Sequence, residues 1–133
     1  MKVLRKRVGH PLEVVETKER YFMNCAKSFF KLGVWTERVY LQGAEFILVV
    51  DEDGLRKRLP VNFYMPFKGS PYPVQKIVGD VVFIRNKKVD YDGEIPDWEV
   101  TDIAEADIDW VARLLDPAAQ EMLSITFERM YRK

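Results

Sequence analysis

Apolar and polar positions along the chain switch several times between the two-residue period of a strand and the three-to-four-residue period of a helix. Lys2 to Val8 and Leu12 to Glu16 are short β-rich runs around Gly9-His10-Pro11, which predicts a hairpin. From Tyr21 to Leu32 the period lengthens. Phe22, Cys25, Ala26, Phe29 and Leu32 form one apolar helical stripe, with Gly33 where a left-handed C-terminal cap belongs. Strand character then dominates from Val34 to Leu41. After Gly43, the unbroken apolar run Phe46 to Val50 predicts a strand covered on both faces. Asp51-Glu52-Asp53-Gly54 reads as a turn, with Gly54 suited to positive φ. Leu55 to Leu59 reads as a returning strand, placed at a sheet edge by Arg56-Lys57-Arg58.

Residues 60–73 hold five breakers, Pro60, Pro66, Gly69, Pro71 and Pro73, and so predict a long irregular connection. Phe63, Tyr64, Met65, Phe67 and Tyr72 would pack it down as a lid. Val74 to Ile84 resumes β character, with Val81 to Ile84 buried and Arg85-Asn86-Lys87-Lys88 as a polar turn. Ile103, Ile108, Val111, Ala112 and Leu115 suit a helix over 103–115. Asp116-Pro117 is an N-cap followed by proline at the first helical position, opening a helix to about Arg132. Met122, Leu123, Thr126, Phe127 and Met130 are its expected inward residues. The expected class is α+β: a mainly antiparallel sheet packed against a helix from the first half of the chain and two C-terminal helices, all in one domain, 1–133.

Composition narrows the function classes. At 133 residues, with 47% hydrophobic and 32% charged residues, the chain can bury a real core, which excludes a disordered tail or a disulfide scaffold. A single cysteine, no apolar run behind the charged opening segment, and no stretch of about 18 apolar residues predict a cytoplasmic protein with no membrane contact. Twenty-one basic and 21 acidic side chains cancel, but unevenly. Residues 1–89 carry seventeen bases against nine acids, and residues 90–116 ten acids against one base. The acidic run suits either a solvated face or a surface offered to a basic partner. The basic triplets Arg5-Lys6-Arg7 and Arg56-Lys57-Arg58, with Lys87-Lys88, would neutralise phosphates only if they shared a face, and strand alternation works against that.

Reactive constellations are sparse. The one histidine, His10, falls in a predicted turn, and Cys25 sits on an apolar helical stripe where cysteine acts as a small core residue. Glycine-rich phosphate loops and zinc-ligand spacings are absent. Asp90-Tyr91-Asp92-Gly93-Glu94 fails as a calcium loop because its glycine is fourth rather than sixth. No catalytic, metal or cofactor site is expected.

Leu59-Pro60-Val61-Asn62 and Ile77-Val78-Gly79-Asp80-Val81-Val82-Phe83-Ile84 resemble a family of small proteins encoded by bacteriophages and conjugative elements, domain of unknown function 3846. The likeness extends to the opening Met1-Lys2-Val3-Leu4, the proline turn at Pro11, Val39-Tyr40-Leu41 and Val50 to Gly54, and covers most of residues 1–115. The loop at 66–74 and the helix from Pro117 depart from it. The resemblance implies a phage or mobile-element protein acting in a bacterial host, and assigns no reaction.

Three functions are expected from these readings. The first is a non-enzymatic protein that engages a host protein, in counter-defence or replication, through Asp97, Glu99, Asp102, Glu105, Asp107 and Asp109. The second is a binder of a small nucleotide-like anion through Arg56, Arg58, Asn62, Tyr64 and Arg85, where aromatic planes meet cations. The third is a nucleic-acid accessory protein using the basic triplets.

Overall fold

The computed structural model describes residues 1–67, 73–89 and 97–131, with only the backbone of residue 97. The fold is α+β, and its sheets are antiparallel. The hairpin at the start forms as expected. β1 (Lys2–Lys6) pairs with β2 (Glu13–Glu16), with Val3 opposite Val15. The helix that follows, α1 (Phe22–Ser28), is shorter than its stripe. Phe22, Cys25 and Ala26 are buried, but Ser28 Oγ donates to Cys25 O at 2.6 Å and the chain leaves the helix. Gly33, at φ +87, then serves a turn closed by Val34 N–H to Lys31 O, and Leu32 is fully exposed rather than inward.

β3 (Thr36–Gln42) and β4 (Phe46–Asp51) pair antiparallel, and β4 also pairs with β7 (Val81–Val89). β1 flanks the first half of β7, and β8 (Asp97–Thr101) flanks the second. The path across the sheet is therefore β2-β1-β7-β4-β3, with β8 beside β7. The apolar run of β4 is covered on both faces, as its composition predicts. Phe46 and Leu48 join one core and Ile47 and Val49 the other. Arg85 to Lys88, expected as a turn, instead continue β7, a strand of nine residues, because β8 supplies partners from Arg85↔Thr101 to Val89↔Asp97.

Two other expectations are corrected. Leu55 to Leu59 is one tight helical turn, not a strand. Lys57 reaches Asp51 at 2.8 Å and Arg56 reaches Asp53 at 3.1 Å, while Arg58 takes φ +56. Its bonds, Leu59 N–H to Gly54 O and Arg58 N–H to Leu55 O, are the two that end a helix through a left-handed residue. Gly54 does not take positive φ. It is glycine because a Cβ there would lie 2.8 Å from Val78 Cγ2. In the supposed irregular stretch, Val61–Pro66 is a strand, β5, paired with β6 (Val74–Val78) in a separate ribbon. Its prolines bracket it, and Phe63 and Met65 are buried in alternation. The predicted lid residue Tyr72 lies outside the described residues, as does Asp90 to Glu94.

One sheet face is covered by α1. The other carries the ribbon and α2 (Glu105–Leu114), and α3 (Pro117–Tyr131) packs over the ribbon. Phe83 stacks between Phe46 (6.1 Å) and Phe63 (6.2 Å), so one ring column joins β4, β7 and β5. Asp116 caps α3 as expected, its carboxylate accepting from Ala118 N–H at 3.1 Å. Gln120 accepts from Tyr64 N–H (2.7 Å) and donates to Tyr64 O (2.8 Å), standing in for a strand neighbour of β5. Leu123, Phe127 and Met130 are half-buried, while Met122 and Thr126 face outward, against expectation. No described helix is long and apolar enough to cross a membrane.

Gly79 (φ +74) joins the ribbon to β7, and a Cβ there would lie 2.8 Å from Leu59 Cδ1. Gly79→Ala is expected to cost about 1–2 kcal/mol in urea unfolding, from left-handed strain plus displacement of Leu59. A loss below a few tenths would contradict this account of the junction.

Candidate functional site

A concave surface lies between β3, the start of β4, the end of β5 and α2, with a volume of about 550 Å³. Val39, Leu41, Phe46, Met65, Phe67 and Trp110 provide its apolar and aromatic walls, and Gln42 and Asp107 its polar groups. The floor follows from the strands. Phe46 leads β4 and meets Trp110 of α2 edge-on at 6.2 Å, continuing the ring column outward. A bulge between Tyr40 and Gln42 sets Gln42 opposite Phe46.

Behind the groove, Arg85 clamps the buried Asp107 with both ends of its fork, Nε to Oδ2 at 2.5 Å and Nη2 to Oδ1 at 2.6 Å. Nη2 also donates to Gln42 Oε1 at 2.9 Å, and the guanidinium lies 5.3 Å from the Phe46 ring centre. Asp107 Oδ2 accepts in addition from Ala104 N–H at 2.9 Å, which caps the first turn of α2. Burial pushes the Asp107 carboxyl up. The hydrogen bonds from Arg85 and Ala104 and the Arg85 charge outweigh it, and the carboxyl is held below the usual carboxylate range.

The acidic residues thus divide by role. Glu99 is buried and bonded to Arg20 at 2.6 Å, and Asp107 is held by Arg85. Asp102 accepts from Lys2 N–H at 2.9 Å at the sheet margin. Glu105 and Asp109 stand exposed on α2, on either side of groove residues Ala106 and Asp107 in sequence. The Asp97 side chain lies outside the described residues.

The anion-binding set is not brought together. Arg85 pairs opposite Phe46, at the start of β4, whereas Arg56 and Arg58 follow its other end at Asp51. The length of β4 separates them by roughly 17 Å. Asn62 is spent as a clamp: Nδ2 donates to Lys6 O and Gly79 O, both at 2.8 Å, and Oδ1 accepts from Lys6 Nζ at 3.1 Å. Tyr64 leans on Phe127, 5.4 Å between ring centres. The basic triplets are also locally engaged, since Arg5 and Arg7 both bind Glu13.

Sequence reasoning missed the groove itself. Its signals, Gln42 ahead of Phe46 and Trp110 three residues after Asp107, lie far apart in the chain. Cys25 is buried, and burial pushes its thiol up, as a core cysteine requires.

Because Asp107 has a lower pKa folded than unfolded, its contribution to stability is complete above the ordinary Asp range, about 4, and is lost as pH falls through the depressed value. Asp107→Asn leaves Arg85 uncompensated and is expected to cost on the order of 3 kcal/mol at neutral pH. It should also give a shallower acid limb when unfolding free energy is measured against pH. A loss under about 1 kcal/mol with an unchanged acid limb would contradict this assignment.

No family model, no curated protein and no solved structure matches this chain.

Proposed function

We propose that the chain is a non-enzymatic binding protein of phage or mobile-element type that engages a bacterial host protein, in a counter-defence role, through the groove beside α2. The observation that carries this reading is the groove's lining. Its walls are apolar and aromatic, and its one carboxylate is already neutralised by Arg85, which suits desolvated anchor side chains rather than a charged reactant. Glu105 and Asp109 add exposed negative charge on the helix that forms one wall. This arrangement fits a partner segment bearing a large apolar side chain next to lysine or arginine. Its rim charges would act on association rate more than on affinity.

The volume also supports a second reading. About 550 Å³ falls within the range that small-molecule sites occupy, roughly 300–1,000 Å³. The ligand would be mostly apolar, stacked on Trp110 and Phe46, and not the nucleotide-like anion that scattered arginines would need.

Ala106→Arg fills the groove from an exposed helix position without touching the Arg85–Asp107 pair. Capture from a bacterial host lysate by the wild type is expected to yield a protein that this variant loses. Glu105→Lys with Asp109→Lys should slow association of the captured protein several-fold at low salt and flatten its salt dependence. Capture unchanged by both variants would contradict the groove as the docking site. A melting shift with an apolar small molecule, lost in Ala106→Arg, would favour the second reading.

A further inference from the structure

We infer that two copies of this chain pair antiparallel through the free edge of β3, about a twofold axis at Val39. β3 has only β4 as a strand neighbour, so one side of its seven residues presents backbone donors and acceptors with no strand partner among the described residues. The same edge concentrates exposed large apolar residues. Leu32 is 106% exposed, Trp35 74% and Tyr40 58%, and all three lie on or just before β3.

The sequence of the edge selects its partner. A twofold axis normal to the sheet sets residues of like face opposite one another, so it must pass through a residue position. Centred on Glu37 or Arg38, it would oppose like charges directly, and centred on Tyr40 it would fall on the bulge between Tyr40 and Gln42. Centred on Val39, it pairs Val39 with Val39 and sets Arg38 opposite Tyr40 on both sides. Directly opposed side chains lie close enough for the guanidinium to cover the second copy's phenol ring. Arg38 is already held against the Phe22 ring at 4.5 Å and the Met23 sulfur, and so is presented with little freedom to lose. The Arg38 charge at this edge is thus matched by the second copy's Tyr40, while Glu37 falls opposite Leu41.

The pairing also bears on the groove. Val39, Leu41 and Gln42 line it, and Trp35 shares strand parity with Val39 and Leu41. In the Val39 register, each copy's Trp35 runs toward the Leu41–Gln42 end of the other copy's strand, on the groove-bearing face. The second copy then adds an aromatic wall to each groove. The dimer itself does not depend on what the groove binds.

Sedimentation velocity from low micromolar to several hundred micromolar is the test. The wild type is expected to double in mass with concentration. Tyr40→Lys places a lysine opposite Arg38 twice in each dimer and should weaken association at least tenfold. Tyr40→Glu at the same exposed position should retain it, because Arg38 then faces a carboxylate. Should Tyr40→Lys alone fold poorly, the double variant Arg38→Glu with Tyr40→Lys restores the opposite charges and is expected to dimerise. A wild type that stays monomeric throughout, or Lys and Glu variants that behave alike, would overturn the inference. Loss of the dimer with intact capture of a host protein would separate this inference from the proposed function.

Discussion

The Arg85–Asp107 ion pair is the contact through which the sheet, its outer edge and α2 are set on one another. Asp107 accepts from Arg85 twice and from the Ala104 amide once, so a single buried carboxylate both starts α2 and ties it to β7. Through its second terminal bond Arg85 also holds Gln42, just past the bulge in β3. Withdrawing two charges from water offsets much of their attraction, so such a pair contributes more to position than to net stability. Apolar residues in their place could pack as well, but they would not fix which turn of α2 meets Phe46. The groove exists because that meeting is fixed.

The sheet works differently at its two ends. At one, Asn62 bonds the β1 and β6–β7 backbones together, and Gly54 and Gly79 allow Leu59 and Val78 to close in. Side chains there are consumed in holding the ribbon to the sheet, and the cations above them, Arg56 and Lys57, pair with Asp53 and Asp51. At the other end, β4 begins, β3 bulges and α2 starts, and aromatic surface is left open. One end of the sheet is thus closed by packing, and the other leaves an open groove.

Much of the fold was legible in the residues. The β1–β2 hairpin, the doubly covered run Phe46 to Val50, the buried Val81 to Ile84 and the Asp116-Pro117 helix start all stand where pattern and capping chemistry predict. Where reading failed, the deciding contacts were distant or ambiguous in period. Leu55 to Leu59 satisfies a strand pattern as well as one helical turn, and local ion pairs with Asp51 and Asp53 decide it. Val61 to Pro66 hides its alternation, because Tyr64 faces α3 and is nearly as apolar as its inward neighbours Phe63 and Met65. Arg85 to Lys88 looks like a turn until Asp97 to Thr101 arrives to pair with it. The acidic run was visible as charge. Its division into buried Glu99 and Asp107, the backbone acceptor Asp102, and exposed Glu105 and Asp109 depends on cations distant in sequence, Arg20 and Arg85, and on the Lys2 amide.

A double-mutant cycle on Arg85→Met and Asp107→Leu, read by urea unfolding, tests most directly whether this pair organises the site. Each single variant strands the other charge, buried for Asp107 and half-buried for Arg85, whereas the double variant removes both. The account predicts a coupling energy of about 2 kcal/mol or more, with the double variant more stable than either single one. Additive losses within about 0.5 kcal/mol would show that the two side chains act independently, and that α2 and the groove are held by something else.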